Sequence, residues 1–397
     1  MVCYQGEVEH LVIKDWYLSS ILPRVVYIPY FIVKLLCYIL QPKFSFSWTS
    51  KNRSKQPRLC VEAGERGWES IELKELYQSA CEYLGCENVN KLSIQSNVNY
   101  LEQILLNIIQ NKPTHYVYDP RTDSGGTYLK LWNSFRIALL FHRYAIVPIV
   151  ILTDLSVRVA RSQASIVSSM CGVVVCYVSI KELGHIFPHN RILGPCLMPL
   201  SQQTLEFLRS EKVPNLKRQN KKALFVGALY EPRTTILNTI KHKLAKRGYD
   251  FEIKGRIPGE SRVTDEEYWA ALCNAEIVVT TSVQGYHYKT SSGKMVQRGA
   301  DLIEVPQLVY RYLEALACGT LLVAPTVPAI ERYFTPGVHF ITYNSPEDAV
   351  KVITRYLDND CDRLAIVDSG RKRAEDLISS RCFWSIIDSS LSQDSMY

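Results

Sequence analysis

Three groups of polar residues stand where chemistry could be done, each beside a run of apolar ones. The first surrounds the stretch YRYLEALACGTLLVAP, Tyr310 to Pro325. Read as a helix, Leu308, Tyr312 and Leu316 form one row and Val309, Leu313 and Ala317 the next, and these rows must face a sheet. Arg311 and Glu314 fall off that face, three residues apart and therefore neighbours. Gln307 and Glu304 continue the same stripe if the helix begins near Pro306, a residue suited to a first turn. A polar stripe of Glu304, Gln307, Arg311 and Glu314 thus leads away from the core. Its carboxylate either holds a ligand or forms an i, i+3 surface ion pair worth about 0.3 kcal/mol. The second group is YDPRTDSGG, where Asp119, Arg121 and Asp123 follow a strand and an aspartate could serve as general base. The third is EAGERGWES, which offers Glu65 and Arg66 in a loop that also follows a strand. It lacks the GxGxxG of a dinucleotide site.

The elements that must position these residues alternate between short apolar runs and helical periodicity, the pattern of parallel sheets with crossover helices. RLCVEAG, NKLSIQS, THYVYD, IVPIVILTD, GVVVCYVS and RILGPCL read as strands, with amphipathic helices between the first five. A second array contains ALFVGAL, DFEIKG, EIVVTTS, TLLVAP and VHFITY. Between the arrays lies RSEKVPNLKRQNKK, polar, basic and interrupted by proline. The expected fold is α/β, with two Rossmann-like doubly wound domains and a hydrophobic and basic extension. The expected spans are 1–57 for the extension, 58–212 for the first domain, and 213–397 for the second with a C-terminal helix. Ser345 and Pro346 before two acids mark a helix start. Ligands of such sheets bind at the carboxyl ends of the strands, so the loops there are the place to look.

On these residues a family resemblance becomes apparent. EVPQLVYRYLEALACGTLLVAPTVPAIERYF resembles the donor-binding module of GT-B glycosyltransferases, and more narrowly the CgeB-type "glycosyl transferases group 1" module. ALFVGALYEPRTTIL and YWAALCNAEIVVTTS resemble other parts of the same module. The likeness is close over about 222–360 and architectural over 58–210. It implies that Glu314 takes the ribose hydroxyls of a sugar nucleotide, which suits a carboxylate able to accept two hydrogen bonds from a vicinal diol. It also implies a diphosphate contact for Arg233, assisted by Lys254 and Arg256, because the leaving nucleoside diphosphate gains charge in the transition state. Gly227, Ser282, Glu304, Gln307, Arg311 and Gly319 complete the implied donor site, with Gly319 also the helix stop. Many such enzymes carry two acids seven residues apart, but Gln307 occupies the earlier position, and Glu304 would have to stand in one turn before. The insert QGYHYKTSSGKMVQRGAD is longer than the usual loop. Its Lys289, Lys294 and Arg298 either close over phosphates or are solvated. Chemistry of this kind needs no bound metal and no other cofactor, since cations and helix N-termini neutralise the diphosphate. The run Asp358–Asp360 is expected to be a solvated helix end.

Bulk properties fit this reading. With 397 residues, 47% apolar and 21% charged, the chain is globular and long enough for two domains. Its net charge of +7 points weakly to an anionic partner, without the dense basic stripe of a nucleic-acid binder. The 12 cysteines form no CxxC pair, which favours a reducing, cytoplasmic compartment. Val25–Gln41 is apolar but marginal for a span of roughly 20 residues. The following QPKFSFSWTSKNRSKQPR mixes aromatics and cations, as at the cytosolic face of an anionic membrane. The alternative there is a helix packed on the protein body with a solvated linker. The expected activity is transfer of a sugar from a nucleotide-sugar to a lipid-linked, polysaccharide or protein acceptor, with peripheral membrane association. A catalytically silent sugar-nucleotide binder and a nucleotide-sugar epimerase are the rival expectations.

Overall fold

The structure, a computed structural model, describes residues 58–64, 71–95, 99–123, 126–153, 158–168, 172–178, 191–210, 222–256, 263–282, 287–289, 295–297 and 306–393. All belong to one compact unit. The apolar segment Val25–Gln41, the basic segment after it as far as Pro57 and the expected boundary at 212/213 lie outside the described residues. Among those described, no helix is long and apolar enough to cross a membrane.

The first array is a six-stranded parallel sheet: β1 (Leu59–Gly64), β2 (Val89–Ile94), β3 (His115–Tyr118), β4 (Val147–Leu152), β5 (Val173–Cys176) and β6 (Arg191–Leu193). Their order in space is β2-β1-β3-β4-β5-β6. Helices α1 (Ile71–Leu84), α2 (Tyr100–Asn111), α3 (Thr127–Arg143) and α4 (Arg158–Ser168) make the crossovers. After β6, α5 (Gln202–Arg209) precedes the second array of β7 (Lys222–Ala228), β8 (Asp250–Arg256), β9 (Ile277–Val279), β12 (Leu321–Ala324) and β13 (Ile341–Thr342). These five are ordered β13-β12-β9-β7-β8, again parallel. Between β9 and β12 a small antiparallel hairpin, β10 (His287–Lys289) and β11 (Met295–Gln297), occupies the long insert. The remaining helices are α6 (Arg233–Ala245), α7 (Asp265–Asn274), α8 (Arg311–Ala317), α9 (Pro346–Asp358), α10 (Asp360–Ser379) and α11 (Cys382–Gln393).

Strand side chains alternate between two cores, as a sheet covered on both faces demands. Leu59 and Val61 of β1 join one apolar cluster and Cys60 another. In β7, Leu224 and Val226 go to the first cluster, while Ala223 and Phe225 go to a third. The first cluster therefore contains residues from both sheets, and it is where the two arrays meet. Hydrogen bonds cross the same junction. Leu308 N–H donates to the Tyr177 carbonyl (2.9 Å), and the Tyr310 and Tyr333 hydroxyls donate to the carbonyls of Pro199 (2.8 Å) and Pro195 (2.9 Å).

The helix-start signal at Ser345 and Pro346 acts as expected. Ser345 Oγ caps α9 through Asp348 N–H, with Pro346 in its first turn. Thr264 and Glu267 form a capping box at α7. The run Asp358–Asp360 sits at the break between α9 and α10, where Asp358 accepts from the Tyr249 hydroxyl and Asp360 pairs with Arg363 at 2.7 Å. The last helix returns to the first array. Trp384, almost fully buried, donates its indole N–H to Ser79 Oγ of α1 (3.0 Å).

One expectation is overturned. The helix begins at Arg311, not near Pro306, and residues 306–309 are irregular. The polar stripe does not lead to solvent, since Gln307 is 2% and Glu314 3% exposed. The reason is tertiary. Leu308 and Tyr310 are tied to the first array, while Tyr268 of α7 lies over Arg311, so elements distant in sequence cover the stripe.

Candidate functional site

The carboxyl ends of β7 and β9 gather two guanidinium groups. Arg233 opens α6, where Nη1 donates to the Ala228 carbonyl (2.8 Å) and Nε to Thr281 Oγ1 (2.8 Å). Its guanidinium lies over the rings of Phe225 and Tyr230, at 5.7 and 5.8 Å. Arg311 reaches the same strand end from α8, donating from Nη2 to the Val226 carbonyl (2.8 Å). Gly227 leaves room for Arg311: its φ is +148°, and an added Cβ would stand 3.3 Å from the Phe225 ring and 3.8 Å from Arg311 Nη2. Burial, reinforced by the positive charge of Arg311, pushes Arg233 down to about 10. Two cations are thus held near each other by backbone carbonyls, and among the described residues no carboxylate pairs with Arg233. A site that keeps like charges together in this way suits an anion able to relieve their repulsion.

Arg311 also lies 4.9 Å over the Tyr268 ring of α7, and its Nε is 3.6 Å from Glu314 Oε2. That distance is an ion pair but too long for a hydrogen bond, so the Glu314 carboxylate keeps lone pairs for further donors. Among the described residues Arg311 Nη1 is buried without a hydrogen-bond partner, the kind of group that calls for an explanation in the site's function. Burial raises the Glu314 carboxyl above the usual range. Arg311 and the Tyr268 hydroxyl oppose this, while Glu72 and Glu75 on α1 add to it.

The other sequence candidates separate. Ser282 is buried, and its carbonyl accepts from Gln307 N–H (2.9 Å), so both residues brace the segment leading into α8. Gly319, at φ +65°, ends that helix in the left-handed conformation. Lys254 is an exposed side chain of edge strand β8, 3.9 Å from Glu252. Arg256 ends the same strand, and its carbonyl accepts from Leu229 N–H (2.8 Å). Glu65, Arg66, Glu304, Lys294 and Arg298, together with the side chain of Lys289, lie outside the described residues.

In the first array the aspartates are already engaged. Asp119 is fully buried and takes Arg121 on both oxygens, Nε at 3.0 Å to each and Nη2 at 2.6 Å to Oδ2. Arg121 continues to Glu72 Oε2 (3.1 Å), whose other oxygen accepts from the Tyr177 hydroxyl (2.8 Å). Since the Tyr177 carbonyl holds Leu308, one chain of polar contacts runs from the β3 loop to the segment before α8. Asp123 accepts from Asn133 Nδ2 (3.0 Å) at the side of α3.

Sequence reasoning missed Glu62. It lies inside β1, fully buried, and accepts from the hydroxyls of Tyr100 (2.8 Å), Tyr116 (2.9 Å) and Thr122 (2.6 Å) and from Asp119 N–H (3.2 Å). Burial outweighs these four donors and raises its carboxyl to about 7. The available signal was an acid at a core position of the pattern Leu-Cys-Val-Glu-Ala, where an apolar residue would be the rule.

Comparison with known proteins follows this geometry. Residues 233–381 match the glycosyl transferase-like family model. The matched span begins at Arg233 itself and includes Tyr268, Arg311, Glu314 and Gly319, but it does not distinguish the CgeB type. No curated protein matches the chain in sequence. Among solved structures, sucrose-phosphate synthase from Thermosynechococcus elongatus superposes with a TM-score of 0.54 at 11% identity, over 85% of this chain and 98% of that one. HepE from Anabaena, solved with UDP and glucose, gives 0.49 at 10% identity, over 85% of this chain and all of the other (100%). The paired parallel sheets are those of the GT-B architecture, as the resemblance implied.

Proposed function

We propose that the protein is a glycosyltransferase that moves a sugar from a nucleotide-sugar to a lipid-linked, polysaccharide or protein acceptor. The observation that carries this reading is the pair of guanidiniums, Arg233 and Arg311, held at the carboxyl ends of β7 and β9 inside the segment that matches the glycosyl transferase-like family. Arg233 and Arg311 take the diphosphate and offset the charge that develops on it as the glycosidic bond breaks. Arg311 Nη1, without a partner among the described residues, gains an acceptor there. Glu314 receives the ribose hydroxyls on the lone pairs that Arg311 leaves open. Residues 213–397 hold the donor, and 58–212 present the acceptor at the ends of the first sheet. With two arginines in place, the diphosphate needs no metal, so chelation leaves turnover unchanged.

A thermal-shift screen against UDP, GDP, ADP, CMP and their sugars tests the class. A nucleotide present at 100 times its Kd stabilises the fold by about 2.7 kcal/mol, which is readily seen. One base is expected to stand out, followed by slow donor hydrolysis or transfer across an acceptor panel. Absence of any nucleotide stabilisation would refute the donor site. Binding without turnover would make the chain a silent binder, and acceptor-free conversion of the sugar would make it an epimerase.

A further inference from the structure

Helix α3 is apolar on the side where a surface helix is normally polar. Its buried face is formed by Asn133, Ser134, Ile137, Ala138 and Phe141. At about 3.6 residues per turn, Tyr128, Trp132 and Leu139 fall on the opposite side. They are 60%, 57% and 41% exposed. Arg136 and Arg143 border this stripe and are exposed, and none of the helix's 17 residues is acidic. The adjacent helix α2 turns Leu106 and Ile109 outward as well, at 47% and 51%. Of ten large hydrophobic side chains exposed among the described residues, seven lie on α2, α3 or Tyr144 just after it. Scattered exposed apolar residues need no explanation, but a concentration on one pair of helices does.

We propose that this outer face of α3 docks on an anionic lipid bilayer. Tryptophan and tyrosine suit the boundary between headgroups and acyl chains, because each carries an apolar body and a polar tip. Arginines bordering an apolar stripe, with no acid beside them, complement a negatively charged headgroup layer. Gly126 caps α3 only three residues after Asp123, so the docking face adjoins the loop at the carboxyl end of β3. A bilayer held there would offer an anchored acceptor to the first array. That last step rests on the glycosyl-transfer reading, whereas the docking itself rests on the helix.

Flotation of the full chain with vesicles of mixed phosphatidylglycerol and phosphatidylcholine, against phosphatidylcholine alone, tests it. The wild type is expected to bind the anionic vesicles preferentially. W132S/L139S should lose about tenfold or more in affinity, and R136E/R143E should lose the preference for the anionic lipid. Both variants alter exposed side chains, so melting temperature stays within a few degrees of wild type. Vesicle binding equal to wild type in both variants would overturn the proposal and place any docking elsewhere, as at Val25–Gln41. A wild type that floats with neither vesicle would also overturn it, as would variants whose only change is in oligomeric state. Lost vesicle binding in a protein that no nucleotide stabilises would uphold the docking and reject the glycosyl-transfer reading.

Discussion

Replacing Glu62 by glutamine should change the pH dependence of stability in a direction that the structure specifies. Glu62 carries no exposed surface and ionises at about 7 in the fold, against 4.5 for the ordinary carboxyl. The raised value means that, between these limits, the folded protein holds a proton which the unfolded chain has released. Stability contributed by protonated Glu62 is therefore fully present below pH 4.5 and is lost as pH rises through about 7. At about 1.36 kcal/mol per pH unit, the loss from about pH 5 to about pH 8 comes to roughly 2.5 kcal/mol. Glutamine cannot ionise, so Glu62→Gln lacks this loss, although its amide also mismatches some of the four donors at every pH. The quantity to measure is the stability difference between variant and wild type, from urea unfolding at several pH values. The mismatch sets its offset, and the titration sets its slope. The difference should move in favour of the variant by roughly 2.5 kcal/mol from about pH 5 to about pH 8. A difference flat with pH would show that the hydrogen bonds from Tyr100, Tyr116, Thr122 and Asp119 keep Glu62 ionised throughout, against the burial argument.

Three further outcomes follow from the donor side and its supports. Arg233→Ala should weaken nucleotide binding by about tenfold to a hundredfold, as for loss of a charge-assisted contact worth roughly 1.5–3 kcal/mol, read by isothermal titration. Glu314→Ala should weaken the binding of ribonucleotides more than that of their 2′-deoxy analogues, and equal weakening would assign Glu314 only to positioning Arg311. Gly319→Ala should cost about 1 kcal/mol in denaturant unfolding, because φ +65° strains any residue with a Cβ, while its nucleotide affinity stays unchanged.

Much of the architecture was legible in local pattern. Alternating β and α signals, the Ser345–Pro346 start and the glycine stop at 319 act within a few residues of themselves, so neighbours along the chain suffice to read them. The arginines at strand ends were legible for a related reason: a parallel sheet always presents its loops on one edge. What resisted reading depends on residues distant in sequence. The helix at α8 carries a polar stripe that local periodicity assigns to solvent, yet elements distant in sequence, with Tyr268 of α7 over Arg311, cover it and leave Glu314 3% exposed. Glu62 sits beside an acid-rich loop in sequence, but its donors come from residues 100, 116, 119 and 122.

The sequence by itself determined the two parallel arrays, most element positions and the residue types that gather at the carboxyl edge of the second sheet. Hydrophobic period and caps are local, and each strand's buried faces are written in its own residues. Only the tertiary structure decided how those charges behave. Tertiary packing removes water from Glu314, Arg311 and Arg233, and desolvation turns ordinary surface ions into groups whose ionisation and contacts are strongly constrained. The same packing leaves the outer face of α3 uncovered, so an apolar stripe that could have been core became surface.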